Sequence, residues 1–409
     1  MSILIVFLSM LLSSPQGAPV KSVNLSLEEA VSVAFERQPG LRLLEQEIQR
    51  ARATTLIDSA LPAAEAGLSV EGLGLSEKAR RNDPEYSLGL TQPLPFPGKL
   101  GLKSSLGETY EQEASLQLEK GKILLAAQVK KAYLKCLLSQ QAVDFMSQNL
   151  ETLNDIQHNA LSRYSLGSVP YSEVLRLKIE LVRSQNDLYA ARQELAADFS
   201  RLKLLLGFEE ETTINLTSAL TYQELPDRPE ALLAKARATS PTLKLAGLKK
   251  GQSELLVKLA RKDRWPDFSL SFFTPSRRWG AVGFSLGVNW PLFSRKSLKG
   301  EKLLAESEQQ RAQISLEAAD RFFDSQKRLA LAAVDQAGQR VKIFEDSLLE
   351  DSKAELEKAL NAYRLGQLDS LHLLDLFQAA RQMNFEYQQA IYFYLCALAD
   401  FYSAGEDYE

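Results

Sequence analysis

The run Leu88-Gly89-Leu90-Thr91-Gln92-Pro93-Leu94 returns about two hundred residues later as Leu286-Gly287-Val288-Asn289-Trp290-Pro291-Leu292. In both copies apolar side chains alternate with small or polar ones, which is the period of a strand with two unlike faces. Upstream of these runs, Glu28, Ala34, Pro39 and Leu41 read against Glu230, Ala236, Pro241 and Leu243. Downstream, Tyr164-Ser165-Leu166-Gly167 reads against Tyr363-Arg364-Leu365-Gly366. The landmarks keep their order and nearly their spacing. A period this long is no solenoid module but a duplicated half-molecule.

Each half reads helix, helix, strand, strand, long helix, long helix. The first repeat is expected over residues 19–225, with strands near 66–74 and 86–92 and long helices near 99–163 and 170–206. The second is expected over 226–409, with strands near 267–274 and 281–290 and long helices near 297–363 and 369–403. Ser26 and Glu29 have the spacing of a capping box opening the first short helix, which Pro39 ends. The fold class is mainly α with a small β part.

The long helices carry a 4-3 apolar spacing. Leu125, Val129, Ala132, Cys136, Val143, Met146, Leu150 and Leu153 hold it in the first half, with Ser139 the polar interruption. Leu373, Phe377, Ala380, Tyr387, Ile391, Tyr394, Leu398 and Phe401 hold it in the last helix, interrupted by Asn384. Such heptads mean coiled-coil packing. A helix over 99–163, at 1.5 Å per residue, is roughly 100 Å long, a length suited to a tube or fibre.

Composition excludes more than it selects. Two histidines and two cysteines among 409 residues leave little for metal clusters or a disulfide framework, and Cys136 and Cys396 fall in helical apolar patterns as buried thiols. A net charge of −4, with basic residues spread among acidic ones, gives no nucleic-acid footprint. No nucleophile elbow, phosphate loop or paired catalytic cluster is present, so no enzyme and no cofactor is expected. Residues 1–18 have the apolar core of a signal peptide, Ile3 to Leu12, without a basic lead. After Leu12 nothing approaches a membrane-spanning helix, so entry into a bilayer requires a closed β-barrel. Four strands cannot close one, since about eight are needed, but three copies supply twelve. Polar hairpin loops (Ser76 to Glu85, and Pro275-Ser276-Arg277-Arg278) and strand-end aromatics (Tyr86, Phe96, Trp279, Trp290, Phe293) fit such a barrel. The competing reading is a non-membrane coiled-coil spacer of the cell envelope with a small β-sandwich.

The ordered motifs, namely Leu25-Ser26-Leu27-Glu28-Glu29-Ala30 with Pro39, the strand-to-helix corners and the Tyr-x-x-Leu-Gly turns, resemble those of the TolC-like outer-membrane efflux proteins. The resemblance covers the chain after about Leu25. It implies a homotrimer in outer-membrane lipid, with a 12-stranded β-barrel continuous with a long α-helical coiled-coil periplasmic tunnel. It also implies docking on a periplasmic adaptor and an inner-membrane transporter, in a tripartite efflux or type I secretion system that conducts its cargo passively. Pro97, Gly98 and Lys99 look like the corner of the heavy-metal efflux branch; Pro291 opens the second corner, where the glycine is missing.

At the tunnel tip the resemblance makes Leu166, Gly167 and Ser168, and Leu365, Gly366 and Gln367, the adaptor-docking turns. Asp375 matches an acidic ring residue at the pore constriction, and Glu173 and Tyr363 match bridges that hold the entrance shut. His372 and Leu368 depart from the pattern, standing where some members have a second acid and an arginine. A ring of Asp375 carboxylates favours cations, and imidazoles from His372 one helical turn away would add pH sensitivity near neutrality.

Overall fold

The computed structural model describes residues 22–71, 85–224, 229–274, 281–291, 294–345 and 349–406. The expected signal segment 1–18, most of both hairpin loops, Trp279 and Phe293 lie outside the described residues. In chain order the elements are β1 Ser22–Leu25, α1 Leu27–Arg37, α2 Pro39–Ser59, β2 Glu65–Glu71, β3 Glu85–Leu94, α3 Lys99–Ser165 and α4 Tyr171–Leu206. There follow β4 Thr213–Leu216, α5 Pro229–Thr239, α6 Pro241–Lys262, β5 Asp267–Phe273, β6 Gly283–Asn289, α7 Arg295–Ile343, α8 Leu349–Arg364 and α9 Ser370–Ser403. Among the described residues no helix is long and apolar enough to cross a membrane.

The chain forms two compact units, each assembled from separated segments. One holds residues up to 39, 122–236 and 326–404; the other holds 40–121, 237–325 and 405–409. In the first, α1 starts on the capping box, with the Glu29 amide donating to Ser26 Oγ and Glu29 returning a carboxylate to the Ser26 amide. β1 and β4 pair in parallel, Ser22 against Thr213 through Leu25 against Leu216, a strand pair with no strong sequence pattern behind it. The buried Tyr133 pins this region by donating to the Leu25 carbonyl and accepting from the Ser218 amide. Ser139, the polar break in the α3 heptads, donates to the buried Asp198 of α4 at 2.7 Å, and Arg201 pairs with the same carboxylate at 3.1 Å. A buried polar contact of this kind selects one register of two packed helices over its neighbours.

The helix expected near 297–363 is described as α7 and α8, with Phe344 and Glu345 π-helical after Ile343. At this wider turn Phe344 is buried and Glu345 accepts from the Tyr387 hydroxyl of α9 at 3.0 Å, an arrangement that an uninterrupted 3.6-residue period does not advertise.

The second unit contains a four-stranded antiparallel sheet ordered β2-β3-β5-β6. Its register places Leu68 against Leu88, Leu90 against Phe272, Leu270 against Leu286 and Phe268 against Val288. The alternate positions are small or polar: Ser69 meets Ser87, Thr91 meets Ser271, and Ser269 meets Gly287. Leu68, Leu88, Leu90, Phe272, Phe284, Leu286 and Val288 are all exposed, so among the described residues the greasy face of this sheet has no protein cover. In water that face would be an association or aggregation surface; in hydrocarbon it is matched to its surroundings. Among the described residues β2 and β6 each pair on one side only.

Candidate functional site

Two places carry the expected site residues. The first is the strand-to-helix corner in the second unit. Gly98 has φ +85, a left-handed turn that glycine tolerates, and α3 starts at the next residue. Lys99 is buried, its Nζ 2.9 Å from Asp267 and 3.2 Å from Asp263. The Phe96 amide donates to the same Asp267 at 2.7 Å, the Pro97 carbonyl accepts from Lys262, and the Phe96 ring stacks on Trp265. All of these contacts tie β3 and α3 to the α6–β5 connection. Pro97, Gly98 and Lys99 form a braced bend in which the lysine is committed to two carboxylates. Pro291 follows β6 half-buried, and its carbonyl accepts from the Ser294 amide.

The second place is the tip of the first unit, where α3 turns into α4 and α8 into α9. The α3 end is a Schellman motif: the Ser168 amide donates to the Arg163 carbonyl and the Gly167 amide to Tyr164, with Gly167 at φ +72. The α8 end repeats it, Gln367 to Ala362 and Gly366 to Tyr363, with Gly366 at φ +78. Folding the chain back over glycine pushes Leu166 and Leu365 outward; they are 79% and 74% exposed.

Beneath the turns lies a core of Leu153, Ile156, Ala160, Val174, Leu177, Ala359, Leu373 and Phe377, with Tyr363 among them. The Tyr363 hydroxyl donates to Glu173 Oε1 at 3.4 Å, and the Arg163 guanidinium sits 5.4 Å from the centre of its ring. Burial first and the Glu173 charge second push the Tyr363 phenol up to about 12, against an opposing pull from Arg163. Leu368, the departure from an arginine, packs against this core and makes no salt bridge. Asp369 caps α9 by accepting from the His372 amide, and its carboxylate also lies 3.0 Å from His372 Nδ1. His372 and Asp375 are both exposed and one turn apart on α9. Glu173 and Tyr363 are therefore brought together, whereas His372 and Asp375 face solvent in the single chain. Arg163 was not singled out from sequence; its position in the last turn of α3 is the signal that could have found it.

No group of three or more His, Cys, Asp or Glu side chains able to hold a metal ion occurs among the described residues. Cys136 is buried and free, and burial pushes its thiol up to about 12, far from a reactive thiolate.

Residues 30–208 match the outer membrane efflux protein family. The nickel and cobalt resistance protein CnrC of Cupriavidus metallidurans is 25% identical over 289 residues, 66% of this chain and 67% of that one. The CmeC outer membrane channel of Campylobacter jejuni superposes with a TM-score of 0.78 at 16% identity, over 94% of this chain and 86% of CmeC. The open state of the Neisseria gonorrhoeae MtrE outer membrane channel gives 0.75 at 19% identity, over 93% and 88%. Family match and shared fold agree: residues 30–208 match the outer membrane efflux protein family, and the chain has the fold of known outer membrane channels.

Proposed function

We propose that three copies of this chain form the exit duct of a tripartite efflux or type I secretion assembly. Each copy contributes one hairpin from each half of its duplicated sequence, β2–β3 and β5–β6, to a twelve-stranded barrel in outer-membrane lipid. The observation that carries this reading is the β2-β3-β5-β6 sheet, which has an uncovered apolar face and a free edge on each side. Closure with two further copies satisfies both edges and sets the greasy face against lipid. The helical unit supports the same association, because Leu175, Ile179, Val182 and Tyr189 form an exposed seam along α4 at coiled-coil spacing.

In this reading the turns at Leu166-Gly167-Ser168 and Leu365-Gly366-Gln367 meet a periplasmic adaptor that links the duct to an inner-membrane transporter. Glu173 and Tyr363 hold the entrance, and Asp375 with its two symmetry mates rings it, with His372 beside it. A ring of exposed carboxylates attracts cations and can be plugged by multivalent ones. The likeness to a nickel and cobalt resistance protein makes divalent metal ions the cargo class to try first.

The test is single-channel recording of the detergent-purified protein in a planar bilayer, with and without millimolar divalent or trivalent cations. Cation-selective pores that these ions block support the duct and its ring. A water-soluble elongated particle that never inserts would overturn the reading in favour of an envelope spacer.

A further inference from the structure

Arg163 lies in the last turn of α3 with its guanidinium over the Tyr363 ring. Its Nη1 is buried and has no hydrogen-bond partner among the described residues. Its Nη2 lies under the second turn, 3.8 Å from where a Cβ on Gly366 would sit. A cationic donor buried and left unused is costly, so a state that satisfies it has a built-in advantage. On the hydroxyl side of the same ring stands Glu173, held by one long 3.4 Å bond. One phenol hydroxyl therefore touches both a cation with a spare donor and a carboxylate with a weak bond. The two charged groups belong to the chain segments flanking the first turn, α3 and α4, and the phenol they share belongs to α8.

We propose that Arg163 is the partner of Glu173 in the open entrance. When α8 swings away and withdraws the Tyr363 ring, guanidinium and carboxylate close on each other, and the new pair holds the tip open. The tyrosine bond and the arginine bond are then alternatives for one carboxylate, which makes the entrance two-state rather than continuously deformable. The inference rests on reading the tip as the channel entrance. An arginine near a helix C-terminus also favours the helix dipole, but that role has no use for Glu173.

The full-length protein carrying Tyr363→Phe provides the background for the test, because the hydroxyl bond is gone and changes at Glu173 then act on the open state. Open fraction is read in planar bilayers for this parent, for added Arg163→Gln, for added Glu173→Gln, and for both. Each single change is expected to lower the open fraction about three- to fivefold, the range of a partly exposed ion pair, and the double change no further than either. Single changes without effect, or effects that multiply in the double variant, would overturn the proposal while the duct stands. A parent that conducts nothing would overturn the duct reading and the proposal together. Neutral isosteres at both positions keep the packing, and circular dichroism melting checks that each variant is folded.

Discussion

The two turns at the tip share a backbone and differ in what surrounds their tyrosines. Both close helices with the same pair of Schellman bonds over a left-handed glycine. At the first turn Tyr164 is 43% exposed and lies against Tyr171, with ring centres 5.5 Å apart. At the second, Tyr363 is 1% exposed, locked into the apolar core and bonded to Glu173. The hydrogen-bonded scaffold is shared and the side chains do different work: one tyrosine is part of a surface, the other is buried in a core. The backbone pattern alone could not distinguish them.

The largest contrast should appear on truncation. Tyr363→Ala is expected to lower the opening free energy of α8 and α9, read by hydrogen exchange on the assembled protein, by about 3–5 kcal/mol, the cost of emptying a core aromatic site. Tyr164→Ala should cost less than about 1 kcal/mol, as exposed substitutions do. Equal losses would mean that the turns are equivalent after all.

Titration separates the turns next. The phenol of Tyr363 is raised to about 12 in the folded chain, so the protonated form is the one the fold favours. The stability it contributes is fully present below the ordinary tyrosine value near 10 and is lost as pH rises through about 12. Tyr363→Phe should therefore flatten the alkaline loss of tip protection between roughly pH 10 and 12 by about 2 kcal/mol, an effect measured as a difference because other tyrosines titrate in the same range. An unchanged alkaline limb in the variant would mean that the hydroxyl is not held as described.

Much of this was readable beforehand. The Ser26–Glu29 box, the alternating strands around Leu88 and Leu286, and the turn glycines announce themselves through local rules that tertiary packing does not override. The strand pair β1–β4 did not, because four-residue strands joined in parallel across almost two hundred residues have no periodicity to detect. The π-helical step at Phe344 and Glu345 escaped for a related reason: its sequence keeps helical composition, and the Tyr387 that Glu345 bonds is distant in the chain. The strand-to-helix corner resembled that of the heavy-metal efflux branch, and the sequence did not announce that Lys99 pairs with Asp263 and Asp267 to brace it. Arg163 stayed hidden because an arginine near a helix end has an ordinary explanation, and its unused donor exists only in three dimensions.

The turn glycines should behave alike, against the contrast of the tyrosines. A Cβ at Gly167 meets nothing within 4 Å, and at Gly366 it meets only Arg163 at ordinary contact distance. The cost of Gly167→Leu or Gly366→Leu is then conformational, about 1–2 kcal/mol from the left-handed backbone. Assembly should survive while export fails if the turns are docking surfaces. Growth of an efflux-deficient strain under toxic metal or drug, beside the amount of trimer in the membrane, checks both halves of that statement. Normal export by either variant removes its turn from the docking site.

The smallest effect is also the most local. Nine residues after Gly366 stands Asp375; nine residues after Gly167 stands Arg176, also exposed. If the second turn alone lines the entrance with carboxylates, Asp375→Asn should weaken block by a multivalent cation about fivefold, since three charges are lost from one ring. Arg176→Gln, removing a charge of opposite sign at the matching position of the other repeat, should leave block within about twofold of the parent. The assay is the concentration of cation that halves the single-channel current. Were Arg176→Gln to tighten block as much as Asp375→Asn loosens it, both repeats would face the pore equally, and the division of labour seen in the tyrosines would not extend into the helices that follow the turns.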